Sequence, residues 1–339
     1  MKKIGYFVLS FTLFFIVFFL IFDFYLKKKN PRWHTFDKEL GWKIRDNFNH
    51  TYNQITSKGI PYKVDYRTNS IGLRYNDDDG KNLKDIDVLI IGDSFTADPY
   101  SSNDLMWYSI LTNELSLKYK KKINVLAGGG GGYANIQQLI LTNKLKDLIN
   151  PKIFILQFCS NDFGANVYDI EKNGSFNQYI YRPFLINNRF VFESSLIGKI
   201  LRTKFIADSK ILGRVLYEFT LWKNKRPQDK EYLKNKEELI NISVEKTSSI
   251  LNKIRNNFPD SKSFMVNCDI TKEYPNSLWK KIAIKNNFIP LERGNLIINQ
   301  NTDKDIWYMD GGHFNDYGNE LFGKSTYEEM IEHLKSNIF

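Results

Sequence analysis

The sequence predicts an α/β protein held to a membrane by one N-terminal helix. Three observations carry this: compact apolar runs that alternate with helical patterns, an uncharged apolar stretch at the very start, and a composition that fits a packed core. The chain has 339 residues, 42% of them hydrophobic. That length supports one large core or two small ones and argues against disorder or a fibre.

The apolar runs are DVLIIG (87–92), INVLA (123–127), KIFILQF (152–158) and SKSFMVN (261–267). Each is near-continuous rather than alternating, as parallel strands buried on both faces are. Between and after them lie helical patterns at 103–119, 135–148, 236–257 and 316–335. Strand followed by helix, repeated, defines the α/β class.

Residues 4–22 read IGYFVLSFTLFFIVFFLIF, nineteen positions without a charge. At 1.5 Å per residue this matches the hydrocarbon thickness of a bilayer. The exit, DFYLKKKN, is bulky and charged rather than small, so an uncleaved anchor is expected instead of a signal peptide. Lys2 and Lys3 precede the span, whereas Lys27, Lys28, Lys29 and Arg32 follow it. Charge counting alone would leave the body in the cytoplasm. Short N-terminal anchors usually serve exported domains, so a periplasmic or extracellular body is expected against that count.

The expected organisation is an anchor (1–29), a lead-in segment (30–85) with a short strand or two and the acidic turn NDDDG (76–80), and a catalytic domain (86–339). An insertion at about 166–235 interrupts the strand–helix rhythm. Between Arg182 and Arg226 it carries ten Lys or Arg against Glu193, Asp208 and Glu218. Its aromatics, among them Tyr179, Tyr181, Phe184 and Trp222, would close a core, stack on sugars or dip into a bilayer.

The net charge of +10 reads first as lysines spread over solvated faces. A basic surface also favours anionic headgroups or acidic glycans, but no nucleic-acid module is present, so no nucleic-acid partner is expected. Cys159 and Cys268 are too few for a disulfide framework and lack zinc spacing. Both fall in apolar runs and read as small buried hydrophobes, with a single bridge left open.

Four segments hold residues suited to chemistry. In LIIGDSFTA, Ser94 follows a buried strand and precedes a helical segment, and a parallel sheet opens into its ligand crevice at the carboxyl ends of its strands. A turn serine capping the next helix has the same local pattern. The glycine run 128–132 lacks a following Gly-Lys-Ser/Thr, and Tyr133 breaks the dinucleotide fingerprint. What remains is a plain turn or a loop that offers a backbone N–H to an oxyanion. In QFCSNDFGAN, Asn161 and Asp162 follow a strand at the same sheet edge, where an amide can donate to developing charge, though Asn and Asp are also common turn residues. In YMDGGHFNDYGN, Asp310 stands three residues before His313, close enough to orient an imidazole base. His34 and His50 lie in the lead-in segment and His333 near the C-terminus, which leaves His313 as the candidate base.

These four segments, in this order, resemble the blocks of the SGNH (GDSL-like) hydrolase family, in particular its membrane-anchored bacterial type. The resemblance spans 87–318. It implies a flavodoxin-like three-layer sandwich with a central parallel sheet. It also implies Ser94 as nucleophile, His313 and Asp310 as its partners, and Ser94, Gly132 and Asn161 as oxyanion donors, with no cofactor or metal. Ala127 stands where the second block usually has Asn, and Cys159 where the third often has Gly. The stretch YRTNSIGLR (66–74) is similar to one found ahead of the catalytic strand in some bacterial relatives, with Asn69 and Arg74 its polar members. The implied activity is serine esterase action on O-acyl, foremost O-acetyl, groups of a cell-envelope glycan. The alternatives are an O-acyltransferase to a polysaccharide, a lipase or thioesterase, and, from another class, a non-catalytic envelope binding protein.

Overall fold

The computed structural model describes residues 2–76, 82–173, 180–224, 236–268, 276–336 and 338–339. Most of the acidic turn, Tyr179, the Trp222 side chain and residues 225–235 of the insertion lie outside what is described. The strands, in chain order, are β1 (His34–Asp37), β2 (Gly41–Ile44), β3 (Asn49–Ile55), β4 (Pro61–Arg67), β5 (Arg74–Tyr75), β6 (Val88–Ile91), β7 (Val125–Gly128), β8 (Ile153–Phe158), β9 (Phe184–Ile186), β10 (Arg189–Val191), β11 (Lys262–Asn267) and β12 (Ile289–Leu291).

The central sheet runs β12-β11-β8-β6-β7-β5, parallel except for β5, which pairs antiparallel with β7. Numbered by their succession in the chain, its parallel strands stand in the order 2-1-3-4-5, the flavodoxin-like arrangement. The continuous apolar runs have the physical cause expected of them, because the sheet is covered on both faces. Leu89 and Ile91 point to one core with Phe154 and Leu156, under the helices Asn135–Leu145, Lys236–Arg255 and Asn276–Lys285. Val88 and Ile90 point to the other with Ile153 and Ile155, under Trp107–Tyr119, Arg293–Gln300 and Asp316–Met330. Each fully buried Leu or Ile contributes about 1.5–3 kcal/mol relative to exposure. Cys159 and Cys268 are buried and unbridged.

The lead-in segment is built into this body. β5 is the sheet's edge strand, and β3 and β4 form a seven-residue antiparallel ribbon from Asn49↔Arg67 to Ile55↔Pro61. Arg74, at the start of β5, is fully buried. Its guanidinium donates from Nε to Asn103 Oδ1 (3.1 Å), from Nη1 to Asp98 O (2.8 Å) and from Nη2 to Ser101 O (2.6 Å), and lies 4.5 Å from the Tyr66 ring centroid. Tyr66 donates its hydroxyl to Ala97 O at 2.7 Å. Asn69 accepts from the N–H groups of Ile71 and Leu73, closing the turn that delivers Arg74. The two polar members singled out in the sequence are thus a turn-former and a clamp on the loop that follows Ser94.

The N-terminal helix spans Lys2–Lys29, about 42 Å at 1.5 Å per residue, and its segment Ser10–Lys29 is long and apolar enough to cross a membrane. At Asp23, just past the uncharged stretch 4–22, it meets the insertion, which forms the β9–β10 hairpin and the helices Leu196–Leu201, Lys204–Asp208 and Leu212–Asn224. Asp23 pairs with Lys27 (2.7 Å) and accepts from Ser209 Oγ (3.0 Å) and Ile211 N (3.1 Å).

Replacing Arg74 by Ala removes three hydrogen bonds from a buried charged donor, each contributing about 1.5–3 kcal/mol; Asp98 O keeps its bond from Tyr100 N and Asn103 Oδ1 its bond from Arg67 N, so Ser101 O loses most. Arg74→Ala is expected to lower unfolding free energy by about 3 kcal/mol or more, and Arg74→Lys to recover only part of the loss, read by denaturant titration of the full chain in detergent.

Candidate active site

Ser94 opens a single helical turn, Ser94–Ala97, directly after β6. Asp93 caps it by accepting from Phe95 N at 3.0 Å. Gln157, from the neighbouring β8, accepts from Asp93 N (2.9 Å) and from Thr96 Oγ1 (3.1 Å), so the turn is tied to the strand beside it. Gly129 presses against the same turn: a Cβ there would stand 2.2 Å from Gly92 O, which only glycine avoids.

Asp310 and His313 arrive from the far end of the chain on a loop closed by its own carboxylate. Asp310 Oδ1 accepts from Gly312 N (2.9 Å) and His313 N (3.0 Å), while Oδ2 lies 2.6 Å from His313 Nδ1. With Nδ1–H donating to Asp310, Nε2 is left to accept, and it sits 2.7 Å from Ser94 Oγ. The loop is pinned from the lead-in ribbon: Met309 N donates to Ile55 O (3.1 Å) and Ser57 N to Trp307 O (2.9 Å). The imidazole stacks on Tyr100 at 4.4 Å with Phe95 at 4.9 Å on its flank.

Burial disfavours a charged ring at His313, but the hydrogen bond and charge of Asp310, with Asp98 and Asp93 nearby, outweigh it and raise its pKa above the ordinary value. Burial likewise opposes ionisation of Asp310, yet His313 and the two backbone N–H groups bring its pKa below the usual carboxylate range. Asp98 is buried with Oδ1 unpartnered among the described residues, and burial pushes its pKa up to about 7.

The remaining sequence candidates lie on the loops after β7 and β8. Gly132 takes φ +72°, a left-handed backbone that favours glycine. The carbonyls of this loop are held from outside: Trp42 Nε1 donates to Gly131 O (3.1 Å) and Arg182 Nη2 to Gly132 O (2.7 Å). Asn161 is exposed at the carboxyl end of β8. Among the described residues, the N–H groups of Ser94 and Gly132 and the Asn161 amide have no hydrogen-bond partner. Arg182, Trp42, Gln157 and Tyr100 carry no local sequence signal, since each acts on a partner 50 or more residues away: Gly132, Gly131, Asp93 and His313 in turn.

A cavity of about 210 Å³ lies apart from Ser94, His313 and Asp310, between Leu40, Ile44, Leu73, Tyr133 and Leu145, and shares only Gly129 with the Ser94 turn. Around the Ser94–His313 pair the surface is open instead: the side chains of His313 and Asp310 are 23% and 38% exposed.

The 2-1-3-4-5 sheet, with Ser94, His313 and Asp310 brought together at the carboxyl ends of its strands, is the arrangement that the resemblance to SGNH (GDSL-like) hydrolases implies. No protein-family model matches the sequence, and no curated protein does. Solved structures similar to the chain include that of TesA (10% identity, 73% of this chain and 99% of that one, TM-score 0.41). Others are the psychrotrophic esterase EstA from Pseudoalteromonas sp. (11%, 74% and 98%, 0.41) and a family 3 carbohydrate esterase from Clostridium thermocellum (13%, 74% and 96%, 0.37).

Because folded His313 binds its proton more tightly than the unfolded chain, its contribution to stability is full below about pH 6.5 and is lost as pH rises through the higher folded value. An NMR titration of the His313 ring in the full chain is expected to give a midpoint above about 6.5, falling in Asp310→Asn.

Proposed function

We propose that this chain is a membrane-anchored serine esterase that removes O-acyl groups, O-acetyl foremost, from a glycan of the cell envelope. The carrying observation is the continuous hydrogen-bonded series from Ser94 Oγ through His313 to Asp310, at 2.7 Å and 2.6 Å. In this reading His313 Nε2 takes the Ser94 proton as the oxygen attacks the ester carbonyl, and Asp310 holds the ring in the required tautomer and stabilises the imidazolium. The backbone N–H groups of Ser94 and Gly132 and the Asn161 amide receive the negative oxygen of the tetrahedral intermediate. His313 then protonates the departing alcohol. Water, deprotonated by His313, cleaves the acyl-enzyme, releasing the carboxylic acid and restoring Ser94.

The half-open His313 edge supports a large polar alcohol as leaving group, because a polysaccharide hydroxyl reaches it from solvent without threading an apolar channel. The same openness admits a second sugar hydroxyl in place of water, which would make the reaction a transacylation. The anchor helix is read as placing the body outside the cytoplasm, within reach of envelope glycans.

The test is hydrolysis of p-nitrophenyl acetate, butyrate and octanoate by the full chain in detergent. Acetate turnover is expected to exceed octanoate turnover and to fall by roughly 10³-fold or more in Ser94→Ala and His313→Ala. Asn161→Ala is expected to lower it by about 10²- to 10³-fold. The acid limb of the pH–rate profile should have its midpoint above about 6.5, since the base must be neutral and its pKa is raised. A folded chain that neither turns over esters nor labels with a fluorophosphonate at Ser94 would transfer the assignment to a binding protein.

A further inference from the structure

The geometry points to a second membrane contact: the insertion's helices Lys204–Asp208 and Leu212–Asn224 lie in the bilayer interface beside the anchor helix, their exposed apolar side chains facing acyl chains and their cations facing anionic headgroups. The level at which the two meet sets the depth. Asp23 is the first charged residue after the uncharged stretch 4–22, so it stands where hydrocarbon gives way to headgroups. At that residue the anchor is bonded to Ser209 Oγ and Ile211 N, and Ser209 Oγ in turn accepts from Leu212 N, so the helix Leu212–Asn224 starts at the same level. The next contacts hold the exit to the same strip of insertion: Arg32 Nη1 donates to Ala207 O (3.2 Å), Lys210 Nζ to Asn30 O, and Asp208 accepts from Thr35 Oγ1 and Phe36 N.

On the helix that starts there, Leu212 and Val215, one turn apart, are exposed, and Phe205 on the preceding helix is exposed as well. Leu216 turns instead into the core. An exposed apolar stripe is costly in water, whereas at the boundary of a bilayer it is buried. Lys204 and Lys210 on the same segment, with Lys28 and Lys29 at the anchor exit, supply the positive charge that anionic lipid attracts, while Lys27 and Arg214 are paired with Asp23 and Glu218. Tyr25, exposed on the anchor two residues after Asp23, is an aromatic residue of the kind favoured at that depth. A lipid surface is therefore the occupant. The inference rests on the anchor helix crossing a bilayer and is independent of the chemistry at Ser94.

The experiment places single nitroxide labels on the full chain through Leu212→Cys, Val215→Cys, Ile16→Cys and Leu117→Cys, the native cysteines being buried. The protein is reconstituted in vesicles of phosphatidylcholine and phosphatidylglycerol, and collision with oxygen and with a water-soluble nickel chelate is measured. Labels at 212 and 215 are expected to resemble the one at Ile16, reached by oxygen and shielded from nickel, while Leu117, exposed on a helix of the catalytic body, is open to nickel. Nickel access at 212 and 215 equal to that at 117, with Ile16 in lipid, overturns the inference and leaves the anchor intact. Shielding from both reagents overturns it in favour of a protein partner such as a second copy. Nickel access at Ile16 overturns it together with the anchor.

Discussion

Everything at the site depends on holding two loops together that are 219 residues apart in the chain. A hydrogen bond of 2.7 Å between Ser94 and His313 tolerates little drift, and neither loop is held by its own sequence alone. The lead-in segment, ribbon and edge strand together, supplies the constraint on both sides. Through Tyr66 and the buried Arg74 guanidinium it fixes the backbone from Ala97 to Asn103, and through Ile55 and Ser57 it pins the loop carrying Asp310 and His313. A guanidinium suits this task because its planar fork reaches three acceptors at once and stays charged.

The electrostatics follow from the same compactness. Asp93, Asp98 and Asp162 are all buried near the strand ends, and burial raises the pKa of each. Only Asp310, half-exposed and bonded to His313 and two backbone N–H groups, is shifted downward. Four carboxyl groups in one neighbourhood are thereby sorted by environment: one is set to remain a carboxylate against the imidazole, and the others resist ionisation. This is the separation that acid–base sites achieve by unequal solvation.

Much of this was legible in the sequence because it is local. Four apolar runs marked β6, β7, β8 and β11, and the Asp310–His313 spacing marked a self-closing turn. Two helices were read a few residues too long at their C-terminal ends, where side chains leave the core: the stretch 135–148 ends as a helix at Leu145, and 236–257 at Arg255; the stretch 103–119 begins as an α-helix only at Trp107, after a separate short turn. The fifth parallel strand, β12, was missed since it has three residues, one of them Pro290, which cannot donate to a ladder and suits an edge. The ribbon β3–β4 was read as a short strand or two, its length hidden by the polar residues that alternate along a half-exposed hairpin. Arg182 and Trp42 left no trace in pattern, because their partners are the carbonyls of a distant glycine loop and backbone acceptors carry no side-chain signature.

The strand β3 also links the two ends of the molecule's working axis. Tyr52 donates its hydroxyl to Pro31 O at the foot of the anchor, and three residues on, Ile55 O receives Met309 N beside Asp310. Three extended residues cover about 10 Å. With the helix seated in a bilayer, the strand would act as a ruler, fixing how far the Ser94–His313 pair stands from the foot of the anchor.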